Sequence, residues 1–288
     1  MMRKKPMLAY PVSAKPIDYS NGDVNIQPKL DGVRCVIQYD EEREFEGNGV
    51  IAYSRTGKEW KNIEHILLEL RPFFMKHPLV ILDGELYNHD LKNDFEKVIS
   101  LVRKTKPTEI DRKESELMVQ FHCYDTIMEH MPFVQRDRHI KTILPKSYSI
   151  RHVDTWTVHS EGFAKGMHKQ HLDLGYEGSI VRTNSTYQCK RSHNLRKFKD
   201  FQDAEAYIVG YEEGKGKRKG TLGKFVMQDE DGNKFGCPPG KGYNYEDMRD
   251  MLKDIHKYMG QLATFTYFER TKADSYRHQL FKTIRNYE

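Results

Sequence analysis

A chain of 288 residues with 38% hydrophobic and 31% charged side chains is long enough for a real core, as one large domain or two ordinary ones. Its net charge of +5, from 47 Lys and Arg against 42 Asp and Glu, is too mild to establish a nucleic-acid partner by itself. Four widely spaced cysteines (Cys35, Cys123, Cys189 and Cys237) form no CxxC pair, which argues against a structural zinc site or a disulfide framework, and no apolar run approaches the roughly 20 residues of a membrane helix.

In chain order, the basic start Met1–Pro6 has no apolar stretch behind it, so no signal peptide is expected. Ile63, Ile66, Leu67 and Leu70 recur at helical spacing, and Pro72 is expected to stop that helix. Leu79–Leu82 is a short apolar run of strand type leading into Asp83-Gly84-Glu85-Leu86. Phe95, Val98, Ile99 and Val102 mark a second amphipathic helix with Asp94 near its start. The charged stretch Arg103–Glu116 reads as a solvated loop, and Val119, Phe121 and Cys123 alternate as in a half-buried strand. Strands and helices mix without βαβ alternation, which argues for an α+β fold. Beyond Phe201 the character changes. Ala206–Tyr211, Gly223–Gln228 and Leu262–Glu269 are strand-like, interrupted by one helix carrying Met248, Met251, Leu252 and Ile255 and ended by Gly260. About 88 residues of this kind suit a small oligonucleotide-binding (OB) barrel.

The segment with the most chemistry is Lys29-Leu30-Asp31-Gly32-Val33-Arg34. A lysine amine attacks phosphorus only when unprotonated, and its free pKa near 10.4 forbids that at neutral pH. Nearby cations or a metal ion lower it. Gly32 lets the backbone turn tightly and lets a substrate approach, Asp31 can orient the amine, and Arg34 offers a planar fork for phosphate. A surface turn with an ion pair is the alternative for this hexapeptide alone.

That hexapeptide resembles the first motif of the covalent nucleotidyltransferases, which include DNA ligases, RNA ligases and mRNA capping enzymes. The remaining motifs follow in order. Ser54-Arg55-Thr56-Gly57 resembles the segment with a phosphate-binding arginine. Asp83-Gly84-Glu85-Leu86 resembles the third motif, and Cys123-Tyr124-Asp125 the aromatic–Asp motif. Glu177-Gly178-Ser179-Ile180-Val181-Arg182 resembles the fourth motif, and Leu195-Arg196-Lys197-Phe198-Lys199 the fifth. The ordered set resembles ATP-dependent DNA ligases of the compact bacteriophage type. It implies an α+β adenylation domain of mixed antiparallel sheets over residues 1–200, followed by an all-β OB-fold barrel over 201–288.

The resemblance also implies roles. Lys29 would form a covalent AMP with ATP, assisted by Asp31 and Arg34. Glu85 would accept a ribose hydroxyl, and Tyr124 would stack on adenine. Glu177, with Glu85, would bind Mg²⁺, for which Mn²⁺ can substitute. Lys197 and Lys199, alternating on one strand face, would clamp the α-phosphate. Arg55, with Arg34, would steer the 5′-phosphate of nicked double-stranded DNA. Independently of the resemblance, Lys215, Lys217, Arg218, Lys219 and Lys224 stand among glycines over 214–224, a flexible basic loop suited to tracking a phosphate backbone, with a solvated hairpin tip as the alternative. The tail from Tyr267 to Thr271 and on to Arg285 resembles the last strands of ligase barrels, but Tyr276-Arg277-His278-Gln279 lacks both family prolines. Arg277 and Arg285 are therefore open to either a pyrophosphate-orienting or a packing role. The implied enzyme is a cytoplasmic monomer (in the host cytoplasm if viral) with no membrane partner. RNA ligation, RNA capping, or a nucleic-acid-binding relative without catalysis are the alternatives.

Overall fold

The computed structural model describes residues 3–20, 24–46, 49–199, 201–240, 242–270 and 275–285; Met1, Met2 and Thr271 lie outside them. The chain divides into two compact units, residues 1–199 and 200–288. In chain order the first contains β1 (Leu8–Pro11), β2 (Val24–Lys29), β3 (Val33–Tyr39), β4 (Val50–Tyr53), α1 (Glu64–Lys76) and β5 (Ile81–Tyr87). It continues through α2 (Phe95–Val102), α3 (Glu109–Met118), β6 (Gln120–Thr126), α4 (Phe133–Ile143), β7 (Ile150–His152), β8 (Trp156–Val158), α5 (Glu161–Asp173), β9 (Gly178–Thr183) and β10 (Arg191–Phe198). The strands form two five-stranded sheets, ordered β1-β10-β9-β2-β8 and β4-β3-β5-β6-β7. All pairings are antiparallel except β1 with β10 and β6 with β7.

Period-two alternation sorts each sheet into a core face and a site face. Cys35 and Ile37, Leu82 and Leu86, and Phe121 and Cys123 pack under α1 and α2 with Ile66, Leu70, Phe74 and Val98. The intervening Arg34, Glu85 and Tyr124 face the other way and line a cavity. Val24, Ile26 and Val181 of the first sheet pack on Ala164 and Met167 of α5. A third cluster joins Val36 and Ile81 of one sheet to Leu195 of the other, so the sheets meet face to face beside the cavity.

Two local expectations fail for physical reasons. Pro72 does not stop α1, which runs on to Lys76. An interior proline costs about 3 kcal/mol, but the extra turn buries Phe73 and Phe74 at 6% and 0% exposure, and such burial returns about 1.5–3 kcal/mol per side chain. The charged stretch 103–116 is not a loop throughout. From Glu109 it is α3, started by a capping box in which Thr108 Oγ1 accepts from the Asp111 N–H at 3.2 Å and Asp111 Oδ2 accepts from the Thr108 N–H at 2.9 Å.

The second unit contains β11 (Gln202–Glu213), β12 (Leu222–Gln228), β13 (Lys234–Cys237), α6 (Tyr245–Lys253), β14 (Leu262–Tyr267), β15 (Glu269–Arg270), β16 (Tyr276–Arg277) and β17 (Leu280–Ile284). Its main sheet runs β13-β12-β11-β14-β17, all antiparallel. Phe281 in β17 donates its N–H to Pro238 O at 2.8 Å and accepts the Gly240 N–H at 3.0 Å, a parallel contact with the segment just past β13. The two edges of the sheet thus approach each other, as in a five-stranded, partly open OB barrel with a helix between its third and fourth strands. Ile208, Phe225, Met227, Phe265 and Phe281 fill the interior, with Met248 and Met251 packed in from α6.

Candidate active site

The Lys29–Arg34 segment spans the passage from one sheet to the other. Lys29 ends β2, Leu30 tucks beside Tyr87, Val153 and Tyr124, and Val33 begins β3. Gly32 is required, though not for the reason expected. Its backbone is not left-handed; a Cβ there would collide with Leu86 O and lie 2.8 Å from Glu85 Cγ. The glycine lets β3 start hard against β5, which sets Glu85 beside the motif.

Three neighbouring strands then bring their charged ends together. Register places Lys29 opposite Gly178, and Phe198 opposite Ser179, so β9 lies between the strands bearing Lys29 and Lys197. The Glu177 N–H donates to Lys29 O at 3.1 Å. The Glu177 carboxylate, with only 4% of its side chain exposed, pairs with Lys29 Nζ through one oxygen and Lys199 Nζ through the other. Lys199 lies one residue past the end of β10, and Lys197 is within it.

These groups border a cavity of about 300 Å³ lined from both sheets. Its lining includes Lys29, Arg34, Arg55, Arg182, Arg191, Lys197 and Lys199 against the single carboxylate of Glu85. Glu177, Asp83 and Asp125 behind the lining pair with Lys29, Lys199, Arg34 and Arg182, and the cationic lining that remains suits a polyphosphate. Apolar faces are supplied by Leu8, Leu30, Tyr124 and Ile180. The Tyr124 hydroxyl donates to Glu85 Oε2 at 3.1 Å, which ties the aromatic face to the carboxylate. Burial, opposed by the charges of Arg34 and Lys29, pushes Glu85 up to about 7.

Other expected residues sit differently. Asp31 is half-buried and is not part of the cavity lining; its charge acts on Tyr87 instead. Arg34 reaches the cavity, but its fork holds Asp83 at 2.6 and 2.5 Å and Met7 O at 3.1 Å, with Tyr124 beneath its guanidinium at 5.2 Å. Arg55 extends into the cavity from the tight turn Ser54–Lys58. Lys215, Lys217, Arg218 and Lys219 are exposed on the β11–β12 hairpin, where Arg218 leans over the Tyr245 ring at 5.9 Å. Lys224 lies within β12 and pairs with Glu212 at 2.9 Å. Arg277 pairs with Glu269 across a two-residue ladder, and Arg285 forms an ion pair with Glu205, both inside the second unit.

Arg182 and Gln27 received no role from the sequence. Arg182 donates to Gln27 Oε1 at 2.7 Å and to Asp125 Oδ2 at 2.7 Å, and its guanidinium sits 5.4 Å from the Tyr124 ring centre. Asp125 is fully buried and also holds Arg136 at 2.7 Å. The signal was present, since Arg182 and Asp125 both fall inside quoted motifs. Only the fold shows that they meet beside Tyr124, whose carbonyl accepts from Gln27 Nε2 at 3.2 Å.

No group of three or more His, Cys, Asp or Glu side chains gathers at a metal-binding spacing among the described residues. Mg²⁺ nevertheless fits this donor set: it is content with one or two carboxylates plus substrate phosphates and water, and Glu177 offers a carboxylate at the cavity edge. No helix among the described residues is long and apolar enough to cross a membrane.

Both units resemble domains of known proteins. Residues 213–285 match the DNA ligase OB-like domain family. A DNA ligase of African swine fever virus is 30% identical over 211 residues, covering 69% of this chain and 47% of that protein. One from Thermococcus fumicolans is 23% identical over 253 residues, covering 81% and 43% respectively. The chain therefore spans about half the length of the relatives it matches, or less. Among solved structures, a Lig E DNA ligase superimposes with a TM-score of 0.77 at 22% identity, covering 99% of this chain and 100% of that one. The bacteriophage T7 ATP-dependent DNA ligase, solved with ATP, gives a TM-score of 0.57 at 18% identity, covering 98% of each. Residues 6–199, nearly the whole first unit, match the ATP dependent DNA ligase domain, and the chain belongs to that family.

Proposed function

We propose that the chain is an ATP-dependent DNA ligase that seals 5′-phosphate/3′-hydroxyl nicks in duplex DNA, working as a monomer in the cytoplasm of a cell or of a virus's host. The observation that carries this reading is the meeting of Lys29, Glu177 and Lys199 at one end of three adjacent strands, on the rim of a cation-lined cavity. In the first step Lys29 Nζ forms a bond to the α-phosphorus of ATP, the bond from that phosphorus to the bridging oxygen breaks, pyrophosphate leaves, and the amine loses a proton. In the second, a 5′-phosphate oxygen attacks the lysyl-AMP phosphorus and frees Lys29. In the third, the 3′-hydroxyl attacks the activated 5′-phosphate, and AMP departs.

Residue types suit these tasks. Tyr124 offers a face for adenine, and Glu85 an acceptor for a ribose hydroxyl. Lys197 and Lys199 supply charge for the phosphoryl oxygens, where preorganised cations act most strongly in a water-poor cleft. Arg55 is placed for the incoming 5′-phosphate, and Arg34 orders Tyr124 and Asp83 while adding positive potential. Asp31 acts from outside the cavity, by fixing the turn after Lys29. Bound Mg²⁺ (or Mn²⁺), held by Glu177 with support from Glu85, would neutralise charge on the phosphates. Arg285 is assigned to bracing the OB unit through its ion pair with Glu205, while Arg277 sits in the β15–β16 ladder, where its backbone pairs with that of Glu269.

Nick sealing measured in parallel with ATP, GTP and NAD⁺ tests the whole reading. ATP alone should support it. A GTP requirement with transfer to an RNA end would replace ligation by capping.

Two further results are expected. Glu85 must be ionised to accept without donating, and burial holds it near 7 in the ATP-free protein. The apparent second-order rate constant for adenylylation should therefore rise with pH through about 7, and Glu85→Gln should flatten that limb; an unchanged limb would assign it to another group. Replacing Lys215, Lys217 and Lys219 by alanine removes three exposed charges. The slope of log affinity for nicked duplex against log salt should shrink by about 3 if each meets a phosphate. An unaltered slope takes the hairpin out of the DNA interface.

A further inference from the structure

The back of the strand that carries Glu177 holds a feature the ligation chemistry does not use. Ile180 and Lys197 point into the cavity, so their neighbours Ser179 and Phe198 point to the opposite face of the sheet, where α5 packs. On α5, Ala164, Met167, His168 and His171 form one buried stripe at helical spacing. Both histidines converge on a single hydroxyl: Ser179 Oγ is 3.0 Å from His168 Nδ1 and 2.8 Å from His171 Nδ1. All three residues are at most 3% exposed. The His168 ring also stacks on Phe198 with centroids 3.8 Å apart and planes 9° from parallel.

Gly178 explains how tightly this region is drawn. Its φ of +145° is one that other residues rarely adopt, and a Cβ would collide with Phe198 O and approach His168 Cε1 to 3.3 Å. The residue after Glu177 therefore has no side chain with which to anchor itself. Glu177 itself is held by its N–H bond to the Lys29 carbonyl, and on its other side the chain passes through Gly178, opposite Lys29 in the β2–β9 ladder, to Ser179. Ser179 Oγ has one proton, so it donates to at most one imidazole, and at least one histidine must carry its proton on Nδ1. His171 Nε2 has no hydrogen-bond partner among the described residues, which leaves the serine hydroxyl as the polar contact orienting that ring.

We infer that Ser179, His168 and His171 are positioning residues for adenylylation: a buried hydrogen-bonded brace between α5 and β9 that fixes the Glu177 carboxylate between Lys29 and Lys199. Glu177 is drawn by two cations at once, and a shift of its backbone would carry the carboxylate off one of them. A misplacement of 1 Å remote from the chemistry is enough to cost about 100-fold in rate. The inference rests on the reading of Lys29 as nucleophile.

The test is single-turnover formation of labelled lysyl-AMP over a range of ATP concentrations, with thermal melting of each variant. Ser179→Ala should lower the limiting rate by about 10- to 100-fold while the half-saturating ATP stays within about 3-fold. His171→Leu should reproduce that loss. His171→Asn, which restores a polar atom near the Nδ1 position, should recover most of it, a difference that volume alone would not produce. If Ser179→Ala does not fold, the Leu and Asn variants at 171 decide the question by themselves. A wild-type limiting rate in Ser179→Ala, equal rates for the two His171 variants, or a defect confined to half-saturating ATP would overturn the brace. Lys29→Ala run alongside separates the two ideas. Labelling that persists there overturns the nucleophile assignment, whereas a silent Lys29→Ala with an unaffected Ser179→Ala removes only the brace.

Discussion

Lys29→Ala should form no lysyl-AMP from α-labelled ATP, a loss of at least about 10⁴-fold, or more than 5 kcal/mol in the barrier. In the proposed first step the amine is the atom that bonds to phosphorus, and no side chain beside it would substitute. Glu177 is a poor donor toward an anionic phosphate, and Lys199 extends from another strand onto the far oxygen of Glu177. Lys29→Arg should be equally silent, because a guanidinium stays protonated and is a weak nucleophile despite its matching charge. The same variants should still close a nick supplied with AMP already on its 5′-phosphate. That step uses the 3′-hydroxyl and does not consume the lysine. Retained closure with lost labelling distinguishes a missing nucleophile from a collapsed site. Labelling that survives in Lys29→Ala would be evidence for a different acceptor.

Which residues gather at the candidate site is largely legible in the sequence, because the proposed covalent nucleotidyl transfer demands scarce residue types in a fixed order. Lys29, Glu85, Tyr124, Lys197 and Lys199 all line one cavity, and Glu177 pairs with Lys29, the proposed nucleophile. The less legible parts share a cause. Composition reports charge but not where a side chain spends it. Arg34 looked like a phosphate fork, and its fork is taken by Asp83. Lys224 looked like part of a mobile basic loop, and it is a strand residue paired across the hairpin with Glu212. Arg182 lies inside a recognised motif, but its bonds to Gln27 and Asp125 beside Tyr124 join residues far apart in the sequence and are visible only in the fold.

Elements were misread where local signals competed with tertiary ones. Pro72 is a strong local stop, but Phe73 and Phe74 lie on the core side of α1 and carry the helix past it. The residues of α3 are so charged that the stretch passed for a loop, although Thr108 and Asp111 spell a helix start. Helix α5 has a weak signature in the sequence because Gly162, Gly166 and two histidines dilute its apolar stripe. Those histidines are core residues by position and polar by chemistry, which is why their pairing with Ser179 is visible only in three dimensions.

Glu177→Gln should be the second most damaging change, lowering the adenylylation rate by about 10²–10³-fold, in the range seen when one preorganised charge-stabilising group is removed. The substitution keeps the shape and discards the charge. Two consequences follow from the geometry, and they pull in different directions. Without ligand, Lys29 and Lys199 lose the carboxylate that lies between them and remain in a cavity already rich in cations, so the variant should melt lower than the parent. Bound polyphosphate supplies the missing negative charge, so ATP should raise the melting temperature of Glu177→Gln more than that of the parent. Divalent-ion dependence gives the second readout. If Glu177 is the protein's main ligand for Mg²⁺, half-saturating Mg²⁺ for adenylylation should rise at least about 10-fold, since a neutral amide oxygen is a far weaker partner for a hard dication. A variant that is slow but keeps the parental Mg²⁺ requirement would assign Glu177 to holding the two lysines alone, and the metal would then have to rest on Glu85 and the phosphates.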